Sequence, residues 1–240
     1  MEDSAVRHPV SGTRKRGSRQ RMDERIYDAV RHAVLTQRLP AGSRLPEVNL
    51  GEIFGVGRSV VRKALMRLAA DNIITMRRNQ TARVIRPSQK ETQDIFAARR
   101  VVEAEVMRVT AGHLDHAAGA ELQAIVDAEQ TAHDQQDHDN RIELSVDFHM
   151  RIADHCDNSI LADMLRELIL RTSVAVALYK RPGMDACYTD DDHRIIAKAL
   201  VSGDGELAAK TAVAHLNHLE ERLLLEDTED TVDLASILRV

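Results

Sequence analysis

The run RLPEVNLGEIFGVGRSVVRKALMRLAADNII, residues 44–74, decides the fold of the first part of this chain. Leu50, Ile53 and Phe54 recur at helical spacing over residues 47–54, and Val61, Ala64, Leu65 and Leu68 do the same over residues 58–71. Gly55-Val56-Gly57 leaves room between them only for a tight turn, with Val56 as an apolar plug. The second helix carries Arg58 and Arg62 one turn apart on one face. A planar guanidinium fork matches the O6 and N7 edge of guanine, or grips a phosphate. Two short helices, the second so equipped, form a helix-turn-helix that reads a DNA major groove.

Upstream, Ile26, Ala29, Val30, Ala33 and Val34 predict a helix that starts near Asp23 and ends at Leu39-Pro40-Ala41-Gly42-Ser43. Downstream, IITM (73–76) and TARVIR (81–86) read as two short strands joined by the basic turn Arg77-Arg78-Asn79-Gln80, a wing. Pro87 closes a winged helix-turn-helix domain, residues 21–87, made of three helices and a short β-hairpin. Residues 1–20, with RKRGSRQR beginning at Arg14, read as a flexible basic arm. From Thr92 onward helical periodicity takes over in segments near 92–112, 115–134, 139–155, 158–178, 190–202 and 204–226. Asn158 and Asp204 stand where helix N-caps are needed. This second part, residues 92–230, is expected to be an all-α antiparallel helical bundle.

Charge divides at the same boundary. Residues 1–90 hold 19 Lys or Arg against 8 Asp or Glu, whereas residues 91–240 hold 14 against 30. A segment of net +11 (19 less 8) is drawn to a polyanion and releases its counterions, and one of net −16 (14 less 30) is repelled by it. The groups placed to touch DNA are Gly57, Arg58, Ser59 and Arg62 on the second helix and Arg77 and Arg78 in the wing. At Gly57 a bare amide can approach a phosphate. Lys63 and Arg67 are expected as phosphate or solvent contacts. With 43% apolar residues, no Trp and 2% aromatics, the cores must be built from Leu, Ile, Val, Ala and Met, which favours helices. Cys156 and Cys187 make no disulfide framework, MEDSAVRHPV lacks the apolar stretch of a signal peptide, and no apolar run approaches a membrane span. A cytoplasmic protein is expected.

Nine of the eleven histidines lie beyond residue 90. His149, His193 and His215 sit in different helical segments among apolar neighbours. Three such imidazoles either occupy ordinary core and surface positions or share a first-row divalent metal with an open coordination position. An open three-histidine metal also describes hydrolytic sites. No HExxH motif and no phosphate-cradling glycine loop occurs, and catalysis leaves the DNA-reading half unexplained, so an enzyme is not expected.

The 44–74 run resembles the winged helix-turn-helix of the GntR family of bacterial transcription regulators, whose pattern runs tRLpE, LAe and gVSRtpVReALrrL. That resemblance implies that Arg44, Arg58 and Arg62 contact DNA, with Ser59 beside them. Residues 92–226 resemble the FCD ligand-binding domain of the FadR subfamily, through Arg99 and Glu103, Phe148-His149, Asn158, His193 in DDHRIIAKAL and His215 in AVAHLNHL. It implies a homodimer on operator DNA, probed by a small carboxylate effector at Arg99, His149, Asn158, His193 and His215. It also implies a divalent metal, zinc or nickel, on His149, His193 and His215 with an Asp or Asn one turn before the first. The function so implied is a repressor released by a small organic acid. A metal-responsive regulator and an architectural DNA-binding dimer are the alternatives. Gly51, Gly57 and Asn79-Gln80 depart from the family pattern, and at the metal Ser145 stands one turn before His149, with Asp147 facing away. Water or the effector's own carboxylate would then complete the site. His155 and His218 are candidate outer groups or plain surface residues.

Overall fold

The computed structural model describes residues 16–36, 38–180 and 191–224. Its first part is α1 (Arg16–Leu35), β1 (Arg44–Leu45), α2 (Glu47–Phe54), α3 (Arg58–Ala70), β2 (Ile74–Thr75) and β3 (Ala82–Val84). The strands form an antiparallel sheet in the order β1-β3-β2, with Arg44 opposite Arg83 and Ile74 opposite Val84. β1 is a strand beyond the hairpin expected from sequence; two residues carry no period to read. It is brought to β3 by a turn at Gly42, whose φ is 83° and whose N–H donates to the Val84 carbonyl at 3.0 Å. α1 starts at Arg16, ahead of the expected Asp23, so residues 16–20 of the proposed arm are helical; residues 1–15 lie outside the described residues.

Ile26, Val30, Leu50, Val61, Leu65, Leu68, Ile74 and Val84 are buried together and hold this head. Gly55 ends α2 in the left-handed region at φ 62°, and Val56 N–H then donates to the Gly51 carbonyl at 2.9 Å. A Cβ at Gly51 would stand 3.0 Å from the Val56 carbonyl oxygen. Glycine in place of the family's alanine therefore lets this turn close tightly.

The second part is an all-α bundle: α4 (Gln89–Thr110), α5 (His116–Asp134), α6 (His138–Asp154), α7 (Ser159–Tyr179), α8 (Asp192–Ser202) and α9 (Gly205–Glu221). Side chains cap these helices in series. Ser88 and Glu91 form a capping box on α4, and Asp115, Asp137, Asn158 and Asp204 cap α5, α6, α7 and α9. Each such cap is worth about 1 kcal/mol. α4 packs on α7 and α9, α5 on α6 and α8, and α8 on α9. Met107, Leu122, Phe148, Ile152, Leu165 and Leu200 are fully buried where they meet. Truncating a side chain such as Phe148 there costs about 3–5 kcal/mol. No described helix is long and apolar enough to cross a membrane.

Head and bundle interlock rather than merely touch. Leu170 and Val174 of α7 are buried in the head's core, while Leu35 of α1 is buried in the bundle's. His32 of α1 contacts Glu143 of α6, and Asn72 Nδ2 donates to Glu167 Oε1 at 3.0 Å.

Candidate functional site

On the head, Arg58, Ser59 and Arg62 are exposed along the first turns of α3, Arg44 is exposed on β1, and Arg77 and Arg78 are exposed in the turn between β2 and β3. Among the described residues none of these arginine side chains has a hydrogen bond or an ion pair. Gly57 is the N-cap of α3 and offers no side chain to its first amides, and a Cβ there would meet nothing within 4 Å. No side chain caps the first turn of α3, and a helix N-terminus attracts a phosphate.

Lys63 and Arg67 are exposed too, as a solvent contact would be, and each has a partner on α1. Lys63 Nζ lies 2.6 Å from Asp23 Oδ2, and the Arg67 guanidinium sits 4.1 Å above the centre of the Tyr27 ring. Tyr27 Oη donates to Asp71 Oδ2 at 2.6 Å; burial, then Asp71, raise its pKa and keep the phenol protonated. These residues clamp α3 to α1.

In the bundle, His149 from α6, His193 from α8 and His215 from α9 converge, each no more than 6% exposed, and one ligand atom from each lies within 4.8 Å of the others. The ring centroids of His193 lie 4.9 and 4.7 Å from those of His149 and His215. Each Nδ1 is backed by a carboxylate: Glu103 Oε1 at 2.5 Å from His149, Glu129 Oε2 at 2.6 Å from His193 and Asp192 Oδ2 at 3.5 Å from His215. At His193 the contact is a hydrogen bond, and a carboxylate so placed holds the proton on Nδ1 and turns the Nε2 lone pair toward the centre. The Nε2 atoms of His149 and His193 face each other at 3.1 Å.

Burial pushes the His149 and His215 imidazoles down to about 4, so they are neutral and able to ligate near neutral pH. Burial alone would raise the Glu103 carboxyl, but Arg99 and His149 outweigh it and hold it well below the usual carboxylate range. Arg99 Nε donates to Glu103 Oε2 at 2.7 Å, completing a buried Arg99–Glu103–His149 relay. Losing either partner of such a pair costs about 3–5 kcal/mol.

Beside the histidines lies a cavity of about 40 Å³. Arg99, Arg141, Lys180, His138, His149 and His215 line it, and no carboxylate stands among its described lining residues. Ser145 is 8% exposed and lines the same cavity one turn before His149, so it points inward. Asn158 does not line it: it is exposed, and its Oδ1 accepts from Leu161 N at 3.1 Å as the cap of α7. His218 is 54% exposed and 4.0 Å from Asp192, and His155 is 3.4 Å from Glu121, both outside the centre.

Two residues of this centre escaped the sequence reading. Glu129 continues the apolar stripe Leu122, Ile125, Val126 and Ala132 of α5, and a glutamate in a core register is a signal for a buried partner. Asp192 directly precedes His193, and its link to His215 on another helix depends on α8 packing on α9.

Residues 22–84 match the bacterial regulatory proteins of the gntR family, and residues 94–218 match the FCD domain. The chain belongs to the GntR family and carries an FCD domain. It is 26% identical over 250 residues to the putative L-lactate dehydrogenase operon regulatory protein of Escherichia coli K12, covering 92% of this chain and 93% of that one. It is 25% identical over 209 residues to a probable D-xylose utilization operon transcriptional repressor of Paenarthrobacter nicotinovorans, covering 86% and 91%. In fold it is similar to the E. coli McbR/YncC structure, with TM-score 0.67 at 21% identity over 82% of this chain and 93% of that one. A putative GntR regulator from Rhodococcus sp. RHA1 gives TM-score 0.66 at 20% identity, over 83% and 95%. This GntR/FCD architecture is that of a DNA-binding transcription regulator and not an enzyme fold.

Proposed function

We propose that this GntR regulator is a repressor of the FadR type, released from its operator by a small carboxylate that binds in the cavity beside a divalent metal. The observation that carries the reading is the pair of Nε2 atoms of His149 and His193, 3.1 Å apart and each fixed from behind by a carboxylate. Two buried lone pairs so aimed repel unless a cation or a proton lies between them. His149, His193 and His215 fit zinc or nickel as three imidazole ligands. Such a metal supplies a Lewis-acidic centre with open positions for a carboxylate. Because Ser145, one turn before His149 on the cavity wall, offers only a hydroxyl, an effector carboxylate would complete the ligand set. The lining cations Arg141 and Lys180 favour the same anion.

Repression and a small metabolite signal are supported by relatives named for an L-lactate dehydrogenase operon and for repression of a D-xylose utilization operon. One head spans few base pairs, so specificity calls for two heads on a pseudo-palindrome and hence a homodimer. Within each head the operator-reading groups are Arg44, Gly57, Arg58, Ser59, Arg62, Arg77 and Arg78.

The test starts from metal-free full-length chain and a duplex selected by that chain from a random pool. Zinc and nickel are titrated first, then acetate, L-lactate and citrate, while duplex binding is followed by fluorescence anisotropy. One metal per chain and at least tenfold weaker duplex binding with one of the acids are expected. Zinc alone producing the full change favours a metal-responsive regulator instead. Absence of both metal uptake and any acid effect overturns the proposal.

A further inference from the structure

The cavity has one wall that does not belong to the bundle. Leu35, the last residue of α1, is 3% exposed, lines the cavity and is buried with the bundle's core. One turn earlier His32 contacts Glu143, which lies on α6 between the cavity-lining Arg141 and Ser145. On α7 the alternation is equally tight: Thr172 and Ser173 line the cavity, while Leu170 and Val174 are buried in the head. α1 is in turn fixed to the recognition helix α3 by Lys63–Asp23, by Arg67 over Tyr27 and by the shared core of Val30, Val61 and Leu65.

An occupant beside the three histidines must pack against the walls of this cavity, Leu35 among them, and one that overfills it must move a wall. The walls on α4, α6, α7 and α9 belong to the bundle's own helices, whereas Leu35 enters the same core from the head, at the end of its helix.

We infer that Leu35 is the moving wall of the effector cavity, so that filling the cavity displaces α1, and α3 with it, away from the position that reads DNA. This rests on the cavity being the effector site, and adds how its occupancy reaches Arg58 and Arg62. Packed interiors shift between discrete arrangements rather than deforming continuously, so a small displacement at Leu35 becomes a rigid movement of the head. The effector then acts through its preference for the state in which Leu35 has withdrawn.

The inference is tested without any effector, so a wrong choice of acid cannot be mistaken for its failure. Full-length wild type, Ser173→Leu, Leu35→Ala and the double variant are compared on the selected duplex, with circular dichroism confirming helix content. Ser173→Leu, which fills the cavity from α7, is expected to weaken duplex binding at least tenfold. Adding Leu35→Ala, which removes the displaced wall, is expected to bring affinity back to within about threefold of wild type. Leu35→Ala alone stays within threefold, because the head keeps its own core. Duplex binding unchanged by Ser173→Leu, or a loss that Leu35→Ala leaves in place, overturns the inference. If Ser173→Leu does not fold, Leu35→Phe replaces it: overfilling from the α1 side is expected to weaken binding tenfold by the same route, and unchanged affinity overturns the inference.

Discussion

The recognition face and the histidine centre are both clusters of nitrogen donors, and they are prepared in opposite ways. Arg44, Arg58, Arg62, Arg77 and Arg78 stand in solvent without a partner among the described residues. His149, His193 and His215 are buried and held from behind by Glu103, Glu129 and Asp192. Solvated guanidinium groups lose little by waiting and gain counterion release when a polyanion arrives. Imidazoles withdrawn from water must be oriented in advance, because nothing inside the bundle can rearrange to satisfy them later. The head is therefore built to meet a large, highly charged partner, and the bundle to hold something small in a fixed geometry.

The sharpest way to break this contrast is Arg58→Ala. If Arg58 contributes a forked contact to a guanine, its loss costs about 1–3 kcal/mol in each head, about 2–6 kcal/mol for two heads, and relaxes preference at that base. Stability should hardly move, since the side chain is exposed and has no hydrogen bond or ion pair to a described residue. Duplex titration with matched and single-base-changed sites, alongside thermal melting, checks both halves. Unchanged affinity and selectivity would show that the exposed arginines are solubilising groups only.

On the bundle side the corresponding change is Glu129→Gln, which keeps the shape but removes the charge behind His193 Nδ1. Outer partners of metal-bound histidines are worth about 10–100-fold in metal affinity. Zinc binding should weaken by that factor in a competition titration, while duplex affinity of the metal-free chain stays as it was. Zinc affinity indifferent to Glu129 would mean that this carboxylate only fills a core position.

What the sequence made legible follows from how local each feature is. α2 and α3 were readable because apolar residues repeat every turn, and Arg58 and Arg62 follow from the same register. The three histidines were recognised by family pattern, but their convergence depends on α6, α8 and α9 meeting in space. Spacing alone offers no sign that Asp192 reaches His215 rather than solvent. β1 is too short to carry a period. Leu35 reads as the last apolar residue of an amphipathic helix, which tells that it is buried but not in which of two cores. The partners of Lys63 and Arg67 are not legible in the sequence, because they lie on α1 about forty residues upstream.

The smallest expected effect comes from the residue next to Arg62. Lys63 is 61% exposed on its side chain and its ion pair with Asp23 is screened by water, so Lys63→Ala should cost the head less than about 1 kcal/mol. Because Lys63 Nζ is drawn toward α1, duplex affinity should stay within about threefold and its salt dependence should not change. A true phosphate contact behaves differently: its removal weakens binding on all sequences alike and lowers the salt slope by about one. Measuring duplex affinity across a range of salt for Lys63→Ala and Arg62→Ala therefore places the border between groups that hold the head together and groups that read DNA. If Lys63→Ala lowers the slope as Arg62→Ala does, the Asp23 contact gives way on the duplex, and the border runs one residue further along α3.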